Sequence, residues 1–346
     1  MRKKVLVVAT SRKTRGGITS VIKAHEASWQ WKRFHCHWVQ THRDGPSWRK
    51  IWYFISGMAD FIVRLPFYDI VHIHTADYGT EKRKRIFARL TKLCRKKLIV
   101  HLHSSGPEFS IGGEHKELYR YSFTHADKII ALSKMWRDEI IKAYPIPDEK
   151  VEILYNPCPT VRPSDSSERE KYILFAGTLT HRKGYDDLIK AFACIADRFP
   201  DWQLKLAGNG EIENGKQLVS KLGISNQVDF LGWINGEEKD KVFRHASIYC
   251  LPSYSEGFPM GVLDAWAYHL PVITTPVGGI PDVAKIGENL LLFTPGNVAQ
   301  LSEILDSLIS DKKLYEKLTE SSRDFAQNRF SVPMLTSQLS LIYTNL

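Results

Sequence analysis

The stretch SYSEGFPMGVLDAWAYHLPVITTPVGGIPD, residues 253–282, decides the fold because it carries the chain from a buried strand into a helix. The apolar residues 247–252 predict the strand. Pro259 predicts the helix start, since proline lacks the N–H that the first helical turn leaves unpaired. A strand that enters a helix through a short turn leaves free backbone N–H groups at the helix start, where they can bind a phosphate.

Two carboxylates flank this predicted helix start. Glu256 lies just before it, and Asp264, eight residues further on, is expected about two turns inside the helix. Carboxylates are poor partners for phosphate, but they accept hydrogen bonds from sugar hydroxyls. The pattern therefore predicts a ligand with phosphate at its middle and hydroxyl-rich rings at both ends, as in a nucleotide sugar. Taken alone, Asp264 is more simply explained as a polar residue on a helix flank.

Short apolar runs alternate with helical segments along the whole chain. The predicted strands before residue 157 are KVLVVA, HWVQT, IVHIHT, LIVHLH, KIIALS and VEILYNP, and those after residue 171 are YILFAG, WQLKLAG, VDFLGW, SIYCLPS, PVITTP and NLLLFTP. The clearest predicted helices are 17–29, 48–65 and 185–199. This alternation indicates the α/β class, with two tandem Rossmann-like, doubly wound domains that face a central cleft.

The domain boundary is expected at the segment rich in Pro, Ser and charged residues, about 157–171. We therefore assign residues 1–160 and 161–330 to the two domains. Residues 331–346 predict a C-terminal helix that packs back toward the first domain.

The composition is that of an ordinary globular protein, with 43% hydrophobic and 25% charged residues in 346. The five cysteines are scattered without C-x-x-C spacing, which favours free thiols in a reducing compartment. The apolar run near the N-terminus is too short for a signal peptide, and no apolar segment has the length of a spanning helix. A cytoplasmic location is expected.

Five motifs of the second half resemble one known family. FAGTLTHRKGYDDLIKAF, LAGNGE, FLGW, LPSYSEGFPMGVLDAWA and PVITTPVGGIPD, in this order, are similar to the nucleotide-binding half of glycosyltransferase family 4, whose members are retaining enzymes of the GT-B fold. The resemblance covers residues 172–296 well and the first half loosely, through RGGITSVI, IVHIH, VHLHSSG and KIIALS. Several ordered motifs together are more specific than any one of them. The EGFP form of the acidic motif resembles enzymes of bacterial surface-polysaccharide assembly.

The resemblance implies roles for individual residues. Glu256 would contact the transferred sugar and Asp264 the ribose hydroxyls, although the family normally has the longer glutamate at the second position. Lys183 would meet the donor diphosphate, on which charge develops as the glycosidic bond breaks. Arg182 would supply a charge that the family often has at position 178, which is Thr178 here. The alternative for Arg182 and Lys183 is a solvated loop.

Further donor contacts are implied by the same motifs. They are Gly177, Gly208, Trp233, Ile234, Phe258, Pro259, Met260 and Gly261. Trp233 and Ile234 would border the nucleobase, and the alternative for Trp233 is a place in the hydrophobic core.

In the first half, the resemblance implies two features of the site. Gly16 and Gly17 would form an acceptor-side loop, for which a plain turn is the alternative. His103 would lie at the edge of the active site and touch the donor sugar.

Metal is not expected at the site. His72, His74, His101 and His103 stand near strand ends, and H-x-H places two imidazoles on one side of a strand. No acidic or cysteine partner lies at ligand spacing, and no D-x-D occurs in the chain. No metal ligand and no cofactor other than the nucleotide-sugar substrate is therefore predicted.

Positive charge is concentrated in the first half. Residues 1–160 hold 29 Lys and Arg against 15 Asp and Glu, whereas residues 161–346 hold 19 against 23. The segment 82–97 carries nine cations, and residues 47–67 place Trp, Tyr and Phe beside basic residues. These segments predict peripheral association with an anionic membrane surface. The alternative is a solvated helix face whose apolar residues fill the core.

The function that follows is that of a retaining hexosyltransferase. It would move a hexose or N-acetylhexosamine from a nucleotide diphosphate sugar, with uridine favoured as the base, to a glycan or lipid-linked acceptor in cell-surface polysaccharide synthesis. A catalytically silent nucleotide-sugar-binding scaffold is the main alternative, supported by Thr178 and Asp264. A nucleic-acid-binding protein is disfavoured, because the chain has no recognition helix, RNP-like aromatics or zinc spacing.

Overall fold

The computed structural model describes residues 3–162 and 169–346, so the predicted linker 157–171 lies partly outside the described residues. The chain divides into two compact units. The first comprises Met1–Pro157 with Val332–Leu346, and the second comprises Cys158–Ser331.

The first unit contains a sheet of six parallel strands in the order β2-β1-β3-β4-β5-β6. The strands are Val5–Ala9 (β1), His37–Gln40 (β2), Ile70–Thr75 (β3), Lys97–Leu102 (β4), Lys128–Ala131 (β5) and Val151–Ile153 (β6). Nearly every residue of β1, β3 and β4 is buried, as expected of strands in a parallel sheet that is covered on both faces. Burial on both faces also explains why these strands are continuous apolar runs in the sequence.

The helices of the first unit connect these strands. They are Gly17–Glu26 (α1), Trp29–Arg33 (α2), Ser47–Arg64 (α3), Tyr78–Leu93 (α4), Lys116–His125 (α5) and Lys134–Ala143 (α6), followed near the C-terminus by Val332–Thr344 (α13). Helix α13 packs within this unit, where the buried Tyr343 contacts the ring of Phe34 with centroids 5.1 Å apart and its hydroxyl lies 2.7 Å from His72 Nδ1.

The second unit repeats the architecture with strand order β12-β11-β10-β7-β8-β9, again all parallel. Its strands are Tyr172–Ala176 (β7), Gln203–Ala207 (β8), Val228–Gly232 (β9), Ile248–Leu251 (β10), Val272–Thr274 (β11) and Leu291–Leu292 (β12). Its helices are Tyr185–Ala193 (α7), Ile212–Lys221 (α8), Gly236–His245 (α9), Met260–Ala267 (α10), Val298–Ser310 (α11) and Lys312–Asp324 (α12).

Two predicted helices are shorter than the sequence pattern indicated. The segment 17–29 divides into α1 and α2 at Ser28, whose hydroxyl donates to the His25 carbonyl oxygen at 2.7 Å. The segment 185–199 leaves the α-helix after Ala193 and continues as a short 3-10 turn at Ala196–Arg198, just before Pro200. Across residues 3–162 and 169–346, no helix has both the length and the apolar content needed to cross a bilayer.

Candidate active site

The loop between β10 and α10 carries Glu256. Strand β10 is fully buried, and the chain then runs irregularly until α10 begins at Met260, with Pro259 as its N-cap residue. Asp264 is therefore the fifth residue of α10, just over one turn inside the helix, where the sequence predicted about two turns. The predicted helix start near Pro259 is correct to one residue, and the figure of two turns arose because the eight residues were counted from Glu256 rather than from the helix start.

Glu256 forms an ion pair with Lys183. The Glu256 side chain is 8% exposed and the Lys183 side chain 17% exposed, so both charges are largely shielded from water. Ser253 Oγ donates a 2.8 Å hydrogen bond to the same carboxylate oxygen. Arg182 Nη1 lies 3.9 Å from that oxygen and donates to the Ser255 carbonyl oxygen at 2.6 Å. The Arg182 side chain is thus directed toward Glu256.

Gly184 allows Lys183 to reach Glu256. After β7, residues His181–Lys183 form a 3-10 turn that ends at Gly184, whose φ is +67°. A Cβ atom at Gly184 would lie 2.1 Å from the Pro252 carbonyl oxygen, so the turn approaches the end of β10 more closely than any side chain permits. The Tyr254 amide donates to the Arg182 carbonyl oxygen at 2.8 Å and joins the two loops.

Asp264 has a cationic partner that sequence reasoning missed. Lys239 Nζ, on α9, lies 2.7 Å from Asp264 Oδ1. Burial raises the pKa of Asp264 above its usual value, while the charge of Lys239 opposes that shift. Lys239 lies in the first turn of α9, where the helix dipole disfavours a cation. No sequence spacing relates Lys239 to Asp264, so the sequence carried no specific signal for this pair.

Two glycines of the predicted donor site act through packing. A Cβ atom at Gly208 would lie 1.7 Å from the Gly177 carbonyl oxygen, and one at Gly261 would lie 2.0 Å from Tyr249 Oη. Glycine at these two positions lets the loop after β8 approach the loop after β7, and lets α10 approach β10.

The predicted donor residues differ in exposure. Phe258 is buried and its ring packs against that of Phe330, with centroids 5.6 Å apart. Trp233 directly follows β9 and is 39% exposed, which places its ring outside the core, whereas Ile234 beside it is buried. Met260, at the start of α10, is half-buried.

In the first unit, His103 follows β4 and hydrogen bonds to His74. The atoms His74 Nδ1 and His103 Nε2 lie 2.9 Å apart, so one of the two nitrogens carries the shared proton. Burial lowers the pKa of His103 to about 3, which keeps its imidazole neutral at physiological pH. His74 therefore fixes the orientation of His103 and leaves its Nδ1 as the nitrogen that can contact another group.

Three histidines beneath His103 lie close together. The rings of His72 and His101 are stacked at 5.4 Å, and burial lowers the pKa of His72, His74 and His101 well below the usual value. One ring nitrogen from each of the three lies within 4.8 Å of the others, so the group has the composition of a metal site. The expectation that these histidines hold no metal stays a prediction.

Gly16 and Gly17 form the start of α1. Gly16 is its N-cap residue with φ of +128°, and Gly17 is its first helical residue. Both glycines are exposed. A Cβ atom at Gly16 would meet no atom within 4 Å, so its conformation, rather than crowding, favours glycine there.

Comparison with known proteins gives the family. Residues 5–162 match the family model described as Glycosyltransferase Family 4, and residues 160–325 match that described as Glycosyl transferases group 1. An uncharacterized glycosyltransferase of Methanocaldococcus jannaschii is 31% identical over 258 residues, which make up 72% of this chain and 68% of that protein. The chain belongs to glycosyltransferase family 4. It is therefore a transferase, and the predicted resemblance to glycosyltransferase family 4 is confirmed.

Solved structures show the same fold as this family 4 glycosyltransferase. HepE of Anabaena in complex with UDP-glucose superposes with a TM-score of 0.81 at 20% identity, covering 99% of this chain and 100% of that one. The lipopolysaccharide outer core galactosyltransferase WaaB superposes with a TM-score of 0.70 at 21% identity, covering 99% and 100%. The predicted α/β class and GT-B fold are thus confirmed.

Within the second unit of this family 4 glycosyltransferase, the structure brings Glu256, Lys183 and Arg182 together at the loop before α10. Asp264 lies further along α10 with Lys239 as its partner. Three other predicted residues of the site, His103, Gly16 and Gly17, belong to the first unit.

Proposed function

We propose that the enzyme transfers a hexose or N-acetylhexosamine, with retention, from a nucleotide diphosphate sugar to a glycan or lipid-linked acceptor in cell-surface polysaccharide synthesis. The observation that carries the proposal is the cluster of Lys183, Arg182 and Glu256 before α10. It places two cations beside one buried carboxylate. Diphosphate and sugar hydroxyls are the complementary groups for such a cluster.

In this proposal, the cations serve the leaving group. The bond between the anomeric carbon and the diphosphate breaks, and negative charge grows on the diphosphate oxygen. Lys183 and Arg182, with the N–H groups at the start of α10, stabilise that charge without a metal ion. The acceptor hydroxyl attacks the anomeric carbon on the face that the diphosphate leaves, and its proton passes to the departing phosphate.

The carboxylates hold the sugar parts of the donor. Glu256 accepts a hydrogen bond from a hydroxyl of the transferred sugar, and Asp264 accepts one from the ribose. Lys183 is paired with Glu256, so diphosphate has to share this lysine with the carboxylate. Arg182, which lies 3.9 Å from Glu256, is the second cation that makes such sharing possible.

Uridine is the base that we propose. HepE, a protein of the same fold, was crystallised with UDP-glucose, and WaaB, also of this fold, is a galactosyltransferase of lipopolysaccharide. These similarities support a UDP-sugar donor and a surface-polysaccharide acceptor as the first choices to test.

We propose that the enzyme works at the cytoplasmic face of an anionic membrane. The excess of 29 cationic over 15 anionic residues in positions 1–160 supports this location.

Thermal-shift screening tests the donor, because a ligand that binds only the folded state raises the melting temperature. UDP-, GDP-, ADP- and CDP-sugars are compared, and the preferred donor is then used in hydrolysis and transfer assays. Glu256→Gln and Lys183→Met are expected to lose transfer, whereas Lys221→Met, an exposed lysine of the same unit, keeps it. Binding without any turnover would instead support the scaffold alternative. Proton NMR of the product's anomeric centre tests retention.

A further inference from the structure

Helix α3 turns an apolar face to the outside of the first unit. Of its 18 residues, Gly57 and Phe61 are buried. Six large apolar side chains of the helix are between 54% and 69% exposed, namely Trp48, Ile51, Trp52, Ile55, Ile62 and Val63. At 100° per residue they fall within about 120° of the helix circumference, an arc that contains no charged residue. This is the reverse of an ordinary surface helix, whose outer face is polar.

Contacts on the inner side fix the rotation of α3 about its axis. A Cβ atom at Gly57 would lie 2.4 Å from the Gln40 carbonyl oxygen, so the helix backbone is pressed against the end of β2. His37 Nε2 lies 2.8 Å from Asp60 Oδ2 and holds the same side of the helix. The apolar face therefore cannot turn inward without breaking these contacts.

Helix α4 packs beside α3 and carries cations on its own exposed side. The ring of Phe87 on α4 contacts those of Phe54 and Phe61 on α3, with centroids 6.1 and 5.0 Å apart. The outer row of α4 alternates basic and apolar residues, all of them exposed, namely Lys82, Ile86, Arg89 and Leu93. We call the six exposed residues of α3 and these four the α3–α4 face.

We propose that the α3–α4 face docks on an anionic lipid bilayer, with α3 lying in the plane of the interface and its apolar side chains inserted among the acyl chains. Tryptophan and isoleucine beside lysine and arginine are the composition expected of an interfacial helix. The cations of α4 are complementary to anionic headgroups. A second copy of the chain fits less well, because self-association through this face would bring the two sets of cations together. The inference deepens the proposed membrane location and needs no particular donor or acceptor.

Vesicle sedimentation of the full chain tests the proposal. The protein is mixed with phosphatidylcholine vesicles, either alone or with about 30% phosphatidylglycerol. The wild type is expected to pellet with the anionic vesicles. The double variant Ile51→Glu/Ile55→Glu should bind them at least about tenfold more weakly, since charges would enter the apolar layer. Ile286→Glu is the matched control, because Ile286 is 70% exposed in the second unit and should not affect binding.

Three outcomes would overturn the proposal. The first is a wild type that does not pellet with anionic vesicles. The second is a double variant that pellets as well as the control, which would show that cations outside the α3–α4 face account for the binding to vesicles. The third is a wild type that is dimeric by light scattering and becomes monomeric in the double variant, which would assign the face to a second copy. Nucleotide-sugar binding by thermal shift is expected to be unchanged in the double variant, so failure of membrane docking and failure of the proposed donor chemistry are distinguishable.

Discussion

The carboxylate of Glu256 and the ammonium group of Lys183, 73 residues apart in the chain, form one largely buried ion pair. Each side chain compensates the charge of the other. Removal of either one leaves the other charge largely shielded from water without its main partner, which destabilises the protein. The same two side chains are the proposed contacts of the transferred sugar and the diphosphate. Stability and activity are therefore expected to respond differently to substitution.

A double-mutant cycle on this pair separates the two responses. Lys183→Met is expected to destabilise the protein by up to roughly 3 kcal/mol, because it leaves the buried Glu256 carboxylate with only the more distant Arg182, 3.9 Å away, as a cationic partner. The double variant Lys183→Met/Glu256→Gln should recover much of that loss while transfer stays about a hundredfold or more below wild type. Urea unfolding and transfer assays measure the two quantities. If the change in unfolding free energy of the double variant equalled the sum of the changes in the two single variants, the pair would not be coupled.

Lys239 is expected to keep Asp264 ionised. In Lys239→Met the opposing charge is lost, so burial alone acts on the carboxyl group and its pKa rises further. A protonated Asp264 cannot accept a hydrogen bond at the atom that carries the proton. As the pH is lowered, the affinity for UDP should therefore begin to fall at a higher pH in Lys239→Met than in wild type. Calorimetric titration with UDP between pH 5 and 8 measures this shift.

The control for Lys239→Met is Lys241→Met, because Lys241 is an exposed lysine of the same helix. If the affinity for UDP depended on pH in the same way in wild type and in Lys239→Met, Lys239 would have no influence on nucleotide binding.

The sequence was informative where local chemistry determines structure. The continuous apolar runs predicted the strands of both sheets, because strands in a doubly covered parallel sheet are buried on both faces. The RKG and EGFP segments identified Lys183 and Glu256 through their order along the chain. Their mutual pairing could not be predicted, since it depends on the close approach of Gly184 to the end of β10.

Other features depended on contacts between elements distant in the chain. Helical periodicity gave α3 an apolar face, but a 3.6-residue period does not indicate whether that face is inside or outside. The contact of Gly57 with the end of β2 decides the matter, and it turns the isoleucines and tryptophans outward. In the same way, the pairing of Asp264 with Lys239 joins two helices that no sequence spacing relates.

Glu81 is expected to make the protein less stable as the pH rises. Burial raises the pKa of Glu81 to about 7, although Thr75 Oγ1 donates to it at 2.8 Å. Between pH 4.5 and 7 the unfolded chain has lost this proton and the folded protein retains it, so stability falls with rising pH by roughly 3 kcal/mol. Glu81→Gln, which resembles the protonated form, should be more stable than wild type at pH 8 and similar at pH 4.5 in urea unfolding. A variant less stable at both pH values would contradict this account.

Two histidines with lowered pKa values are expected to make the protein less stable as the pH falls. Burial lowers the pKa of His25 to about 4 and that of His103 to about 3, from an ordinary value of 6.5. Below pH 6.5 the unfolded chain binds protons that the folded protein excludes, so stability falls as the pH drops toward 4. His25→Leu should reduce this acid sensitivity. His125→Leu, at an exposed position, should leave it unchanged in urea unfolding between pH 4.5 and 7.

Removal of metal is expected to leave transfer intact, because Lys183 and Arg182 are the cations that we propose to stabilise the diphosphate. The histidine group of the first unit makes the test necessary, since ring nitrogens of His72, His74 and His101 lie within 4.8 Å of one another. Protein purified without a histidine tag is dialysed against a chelator and assayed for transfer, melting temperature and metal content by mass spectrometry. A melting temperature that drops on dialysis and returns with zinc, but not in His101→Gln, would show that these histidines bind metal. Loss of transfer that a divalent cation restores, with the melting temperature unchanged, would place the metal at the diphosphate instead.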